Sequence, residues 1–218
     1  EISVRDWSSD VCSSDLQRRQ SNKVLHAHPS PLFWSERDIP VKEVMIRRKL
    51  ASPAVSKRIN LYVATPYCLP TNPDRCGFCL FPSEVFMGRH QLEKYLKYLE
   101  WEGRRYQEFF DGDELASIYF GGGTSNLYPP DHYHRLLELV RGVFPSIPPN
   151  IEITLEGIPQ LFNREKLEAI QAAGFNRISM GVQQLDDEMI KLSGRKQKAK
   201  HVFQTLEWCQ RSDRKSVV

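Results

Sequence analysis

The sequence predicts an α/β fold with a parallel sheet, arranged as a partial (β/α) barrel rather than a flat, doubly wound sheet. Strand-like and helix-like segments alternate four times between Asn60 and Gln210, which calls for parallel strands joined by right-handed crossovers. In the third strand Ile151, Ile153 and Leu155 share one side, with Glu152, Thr154 and Glu156 on the other. In the fourth, Ile178, Met180 and Val182 oppose Arg177, Ser179, Gly181 and Gln183. A parallel sheet covered by helices on both faces is apolar on both. One polar face fits helices outside and a wet, ligand-bearing lumen inside.

The chain has 218 residues, 40% hydrophobic and 26% charged, which is ordinary for one globular core. A formal charge of +3 is too small to call for nucleic acid or a membrane surface as partner. No apolar run reaches the ~18 residues of a membrane span, and the N-terminal segment lacks the apolar stretch of a signal peptide. Five cysteines is an odd number, and three fall between positions 68 and 79. That crowding points to ligation and to a reducing, cytoplasmic setting rather than a disulfide framework.

The two ends read differently from the middle. RDWSSDVCSSDL at 5–16 and DRKSVV at 213–218 resemble translated sequencing adapters. Residues 1–16 and 213–218 are therefore expected to be foreign, and the core a fragment cut at both ends. Residues 17–58 are polar and basic, with Pro29, Pro31, Pro40 and Pro53. They read as an N-terminal extension with one short helix around Val41–Leu50, its charge run Arg47–Lys49 a solvated face. Residues 59–212 form the core, truncated after about four β/α units.

Within the core, Leu61 and Val63 alternate with Tyr62 and Ala64, a strand ending at Pro66. A cysteine loop follows. Leu92, Tyr95, Leu96, Leu99, Tyr106 and Phe110 make a helical stripe over 91–110. Ser117–Phe120 is a short strand ending in glycines. Asp131 is placed to cap a helix running to Val143, on which His132 and His134 are expected at the surface. The third strand, 151–155, leads to a helix capped by Asn163 and stopped before Gly174. The fourth, 177–182, leads to a last helix over 199–210, with Val202, Leu206 and Cys209 on one side.

The chemistry lies at the strand ends. LYVATPYC closes on Cys68, then LPTNPDR, then Cys76-Gly-Phe-Cys79. Three soft thiolates suit a four-iron, four-sulfur cluster and leave one iron open for a further ligand. The loop also lies at the C-terminal end of a strand, where barrel active sites are built. The cysteines alone leave two other readings: zinc with a fourth ligand such as His90, or unliganded thiols.

This stretch resembles the radical SAM (S-adenosylmethionine) superfamily in its oxygen-independent coproporphyrinogen III oxidase branch. That branch has a strand like LYVHIPFC followed by CxxxCxxC, with an aromatic where this chain has Phe78. Seven residues rather than three separate Cys68 from Cys76, and Ala64 replaces a usual histidine. Lengthening a loop costs only about 0.6 kcal/mol per doubling, so the longer loop still permits ligation. These departures leave the subfamily open.

The resemblance implies roles for further residues, in family order along the chain. Cys68, Cys76 and Cys79 would hold the cluster. Gly122, Gly123 and Thr124 of FGGGT would contact the amino-acid end of SAM. Glu156 of EITLEG, Gln183 of FNRISMGVQ, Arg195 of SGRKQ, Tyr62 and Phe78 would complete its site. The resemblance also implies a six-unit partial barrel, and reductive cleavage of SAM to a 5′-deoxyadenosyl radical that abstracts hydrogen from a tetrapyrrole-like substrate. A donor such as flavodoxin or ferredoxin would supply the electron. A radical SAM methylase and a haem-binding chaperone of the same branch are alternatives, and a zinc-stabilised binding module is another.

Overall fold

A computed structural model describes residues 39–50, 58–71, 76–79, 81–211 and 215–217. The segments 1–16 and 17–38 lie outside the described residues. The chain divides into two compact units, Glu1–Val44 and Met45–Val218. Helix α1, Val41–Leu50, has the bounds expected of it and spans the division. Within the second unit its charge run is not merely solvated. Arg48 donates to Asp113 at 2.6 Å and to the Phe109 carbonyl at 3.3 Å, and Lys49 donates to the Glu108 carbonyl at 2.7 Å. Those carbonyls end a one-turn 3-10 helix, Gln107–Phe109, where unpaired acceptors draw cations.

The remaining elements follow in order: β1 Arg58–Thr65, β2 Tyr67–Cys68, β3 Glu84–Val85, α2 Arg89–Tyr106, β4 Glu114–Gly122, α3 His132–Val143, β5 Glu152–Gly157, α4 Arg164–Ala173, β6 Arg177–Met180, α5 Asp187–Leu192, α6 Ala199–Arg211 and β7 Lys215–Val217. The main sheet is parallel, in the order β1-β4-β5-β6-β7. An order that never reverses puts every crossover on the same side. The helices accordingly touch one another in sheet order, α2 on α3, α3 on α4 and α4 on α6. This is a partial-barrel arrangement, open at β1 and β7, and not a doubly wound one with a reversal point.

Five strands pair where four were expected. Lys215–Val217 lies in the segment read as adapter-like, and its backbone takes the register Arg177↔Lys215, Ile178↔Ser216, Ser179↔Val217. A parallel edge offers a row of free N–H and C=O groups that pairs with any extended chain. Helix α5 and the short β2–β3 pair were not anticipated either, being too brief for a periodicity to show.

The core is the apolar face of the sheet packed under the helices. Ile118 and Phe120 of β4, Ile153 and Leu155 of β5, and Ile178 and Met180 of β6 are buried against Leu92, Leu96, Leu136, Leu137, Leu167 and Ile170. The expected caps divide. Asn163 accepts from the Lys166 amide at 2.7 Å, and Gly174 ends α4 in the left-handed region at φ 110°. Asp131 precedes α3 without a side-chain capping bond, because its carboxylate pairs with Arg89 instead. His132 is buried rather than exposed, its ring nitrogens facing Glu93 and Asp131, whereas His134 stays at the surface. Helix α3 turns the His132 side inward against α2, a detail the periodicity of neighbouring apolar residues does not separate from a polar rim position.

Asn126 ties the tip of β4 to that of β5. It is fully buried; Oδ1 accepts from the Ile158 amide at 3.0 Å and Nδ2 donates to the Ile158 carbonyl at 2.9 Å. A Cβ at Gly157 would lie 2.3 Å from its side chain, so only glycine admits it. Asn126→Ala leaves two part-buried backbone groups of Ile158 without partners and is expected to lower unfolding free energy by about 1–2 kcal/mol, read from the urea midpoint. An unchanged midpoint would show that the strap is dispensable.

Candidate active site

The polar face of the sheet is assembled by register. Tyr62 stands opposite Tyr119, Tyr119 opposite Thr154, and Glu156 opposite Ser179. The Tyr62 and Tyr119 rings stack with centroids 5.6 Å apart and planes 10° apart. The Tyr119 hydroxyl reaches Ser179 Oγ at 3.3 Å, bridging β4 to β6. Glu156 is half-buried beside both tyrosines. Burial pushes its carboxyl up, while the Tyr119 hydroxyl, the Gly122 amide and the Arg195 guanidinium hold that shift back. Burial likewise raises the Tyr62 phenol, with the Glu156 charge adding to it.

The three cysteines sit above this face on one loop. Cys68 ends β2, whose pairing with β3 is extended by the Phe86 amide donating to the Cys68 carbonyl at 2.7 Å. Cys76 and Cys79 flank a turn closed by the Cys79 amide donating to the Cys76 carbonyl at 2.9 Å. All three thiols are only partly buried. Burial raises the Cys76 thiol, Arg195 lowers it, and the thiols of Cys79 and Cys68 raise it again. Among the described residues no three His, Cys, Asp or Glu side chains are set to hold a single metal ion. A cubane asks for a wider arrangement, with each thiolate on its own iron.

The glycine run fills the space between loop and sheet. Gly123 donates its amide to the Thr65 carbonyl at 2.7 Å, and a Cβ there would lie 2.5 Å from the Tyr67 carbonyl oxygen and 3.0 Å from Cys68 Sγ. Gly122 holds φ at 103°, a backbone region that favours glycine. Thr124 is buried with its hydroxyl 3.6 Å from Cys68 Sγ. A Cβ at Gly121 would lie 2.6 Å from Glu156 Oε2 and 2.8 Å from the Tyr62 hydroxyl. Backbone therefore runs as close to the Cys68 sulfur and the Glu156 carboxylate as it can.

The fourth side of the site comes from the segment after β6. Arg195 lies over the Phe78 ring at 5.8 Å. Its Nη1 donates to Gln183 Oε1 at 3.1 Å and its Nη2 to the Gly181 carbonyl at 2.7 Å. Gln183 has φ 59°, the one non-glycine residue with positive φ among those described, so the chain turns sharply there. Burial lowers the Arg195 pKa, while Cys76, Cys79, Cys68 and Glu156 each raise it. One guanidinium thus lies within electrostatic reach of all three thiols and the carboxylate. The Gly77 amide, between two of the cysteines, donates to the Ser193 carbonyl at 2.9 Å and joins the cysteine turn to this segment.

Cys68, Cys76, Cys79, Tyr62, Phe78, Gly122, Gly123, Thr124, Glu156, Gln183 and Arg195 are therefore neighbours in one region. Sequence reasoning passed over Gly121, Tyr119 and Gln197. Tyr119 was findable, since it alternates with Ile118 and Phe120 onto the polar face. Gln197 carries no spacing signal of its own.

A profile described as the radical SAM superfamily matches residues 67–218. The chain is 35% identical over 156 residues to the Bos taurus protein named "Radical S-adenosyl methionine domain-containing protein 1, mitochondrial", covering 72% of this chain and 34% of that protein. It is 32% identical over 148 residues to oxygen-independent coproporphyrinogen III oxidase of Escherichia coli (strain K12), covering 68% and 31% respectively. The chain thus spans about a third of the length of these curated relatives. The structure of coproporphyrinogen III oxidase (HemN) from Escherichia coli, described as a radical SAM enzyme, matches with a TM-score of 0.72 and 29% identity, covering 84% of this chain and 40% of that one. With the fold, the thiol loop and these likenesses in agreement, the chain belongs to the radical SAM superfamily, whose members use a four-iron, four-sulfur cluster and S-adenosylmethionine.

Proposed function

We propose that this chain is the cofactor-binding core of a radical SAM oxidoreductase of the oxygen-independent coproporphyrinogen III oxidase kind, acting on a tetrapyrrole-like small molecule. The observation that carries the reading is the convergence of Arg195, set over the Phe78 ring of the cysteine turn and bonded to Gln183 and the Gly181 carbonyl, with glycines that run beside Cys68 Sγ and Glu156. The likeness to coproporphyrinogen III oxidase sequences of Escherichia coli and Helicobacter pylori and to one such structure supports the substrate class. Among the described residues no helix is long and apolar enough to cross a membrane.

The donor set fits the cofactors. Cys68, Cys76 and Cys79 would hold the cluster, three thiolates that leave one iron for SAM. When bound, cluster and SAM supply one-electron reduction and hydrogen-atom abstraction. The protein supplies position. Gly122, Gly123 and Thr124 would present backbone and a hydroxyl to the amino-acid end of SAM, close beside Cys68. Glu156 would receive hydroxyl or ammonium groups from the lumen side, and Arg195 with Gln183 would fix the opposite side. Tyr62 and Phe78 would flank the ligand with aromatic surface and exclude water. A small reducing protein of the flavodoxin or ferredoxin class would deliver the electron.

Replacing any one of Cys68, Cys76 or Cys79 with alanine is expected to abolish retention of a full cluster after anaerobic reconstitution, read as iron and sulfide per chain. Equal content in wild type and Cys76→Ala would refute the ligand set. Tetrapyrrole consumption by the reconstituted protein, set beside haem titration, separates the oxidase from a haem carrier: turnover requires SAM, simple carriage does not.

Glu156 yields a pH-dependent expectation. Its folded pKa is raised, so its contribution to stability is present below the ordinary carboxylate range and lost as pH rises through the folded value. Glu156→Gln removes that cost. The variant apoprotein is expected to melt above wild type at neutral pH, with the gap closing in acid, and to bind SAM more weakly. Melting temperatures measured across pH check the first, and SAM titration of the cluster-loaded variant checks the second.

A further inference from the structure

Gln197 is a buried polar residue in the loop between α5 and α6, with 4% of its surface exposed. A buried amide persists when its donor and acceptor are paired. Here Oε1 accepts from Arg195 Nε at 3.0 Å and from Nη2 at 2.7 Å, while Nε2 donates to the Val182 carbonyl at 2.7 Å. One edge of the guanidinium is thus held by a single oxygen that is itself anchored to the backbone just beyond β6. With the bonds to Gly181 and Gln183, four of the five guanidinium N–H groups have partners. The fifth, on Nη1, has no acceptor among the described residues.

The identity of the holder matters. A carboxylate in its place would grip the same fork more strongly and cancel the positive charge. A neutral amide fixes direction and leaves the charge available to the thiols and to an anionic group of a ligand. Arginine otherwise has several rotatable bonds, and ordering it at the moment of binding would cost affinity.

We infer that Gln197 is a positioning residue for SAM binding: it locks the Arg195 guanidinium against the tip of β6 so that its unpaired Nη1 edge and its charge face the cofactor site. This rests on the reading above, in which Arg195 orients SAM. Its side-chain hydrogen bonds go to Arg195 and to the Val182 carbonyl, so Gln197 reaches the cofactor site through Arg195.

The test is equilibrium binding of SAM to the anaerobically reconstituted 218-residue chain, with cluster content measured on each sample. The variants are Gln197→Ala, the shape-preserving Gln197→Met, Arg195→Ala and the double variant Arg195→Ala/Gln197→Met. Either Gln197 variant is expected to keep its cluster and bind SAM about tenfold more weakly. In the Arg195→Ala background Gln197→Met is expected to add nothing, the signature of two residues acting as one unit. Wild-type affinity in Gln197→Met overturns the inference, as does an equal further loss in the Arg195→Ala background. Loss of the cluster from both Gln197 variants also counts against it, because a merely structural glutamine would produce that. Wild-type affinity in Arg195→Ala instead defeats the underlying reading of the site, whatever Gln197 does.

Discussion

A single part-buried guanidinium placed beside the thiol loop and Glu156 is the constraint on which the proposed site depends. Burial works against charge on Cys76, Glu156 and Arg195: it raises the first two and lowers the third. Arg195 draws Cys76 and Glu156 back toward their charged forms, and they do the same for Arg195. Groups desolvated together must be paired or must wait for a ligand that completes the pairing. The glycines between β4 and the thiol loop keep side chains out of that space, so the charges meet across backbone.

The sheet makes this arrangement possible through its order. Parallel strands whose order never reverses send every helix to one side and leave the other face for polar groups. Tyr62, Tyr119, Glu156 and Ser179 occupy that face because period-2 alternation and register align them, while Ile118, Leu155 and Ile178 turn to the helices. The same alternation builds core and lumen. A register slip of one residue would exchange them.

Much of this was legible in the sequence. Alternating faces in β5 and β6 gave away both the sheet and its wet side, and Asn163 with Gly174 bounded α4 because each residue acts locally. Cys68, Cys76 and Cys79 were legible because thiol spacing is a chemical signal. The rest depends on tertiary position. Asn126 and Gln197 act through partners about 32 and 2 residues away respectively, with no pattern in the intervening sequence. His132 and Arg48 looked like surface residues because burial of a polar side chain is decided by the element packed over it. The edge strand β7 was missed because pairing there is backbone work that any extended segment can do.

Three thiols from one strand-tip loop, holding a four-iron cluster as proposed, would leave one iron open for a sulfonium cofactor. Electron–nuclear double resonance on the reduced, cluster-loaded chain with isotopically labelled SAM addresses it directly. Magnetic coupling between the cluster and the amino nitrogen of SAM is the result expected. A spectrum indifferent to SAM, with every iron of the cluster already held by protein, would contradict it.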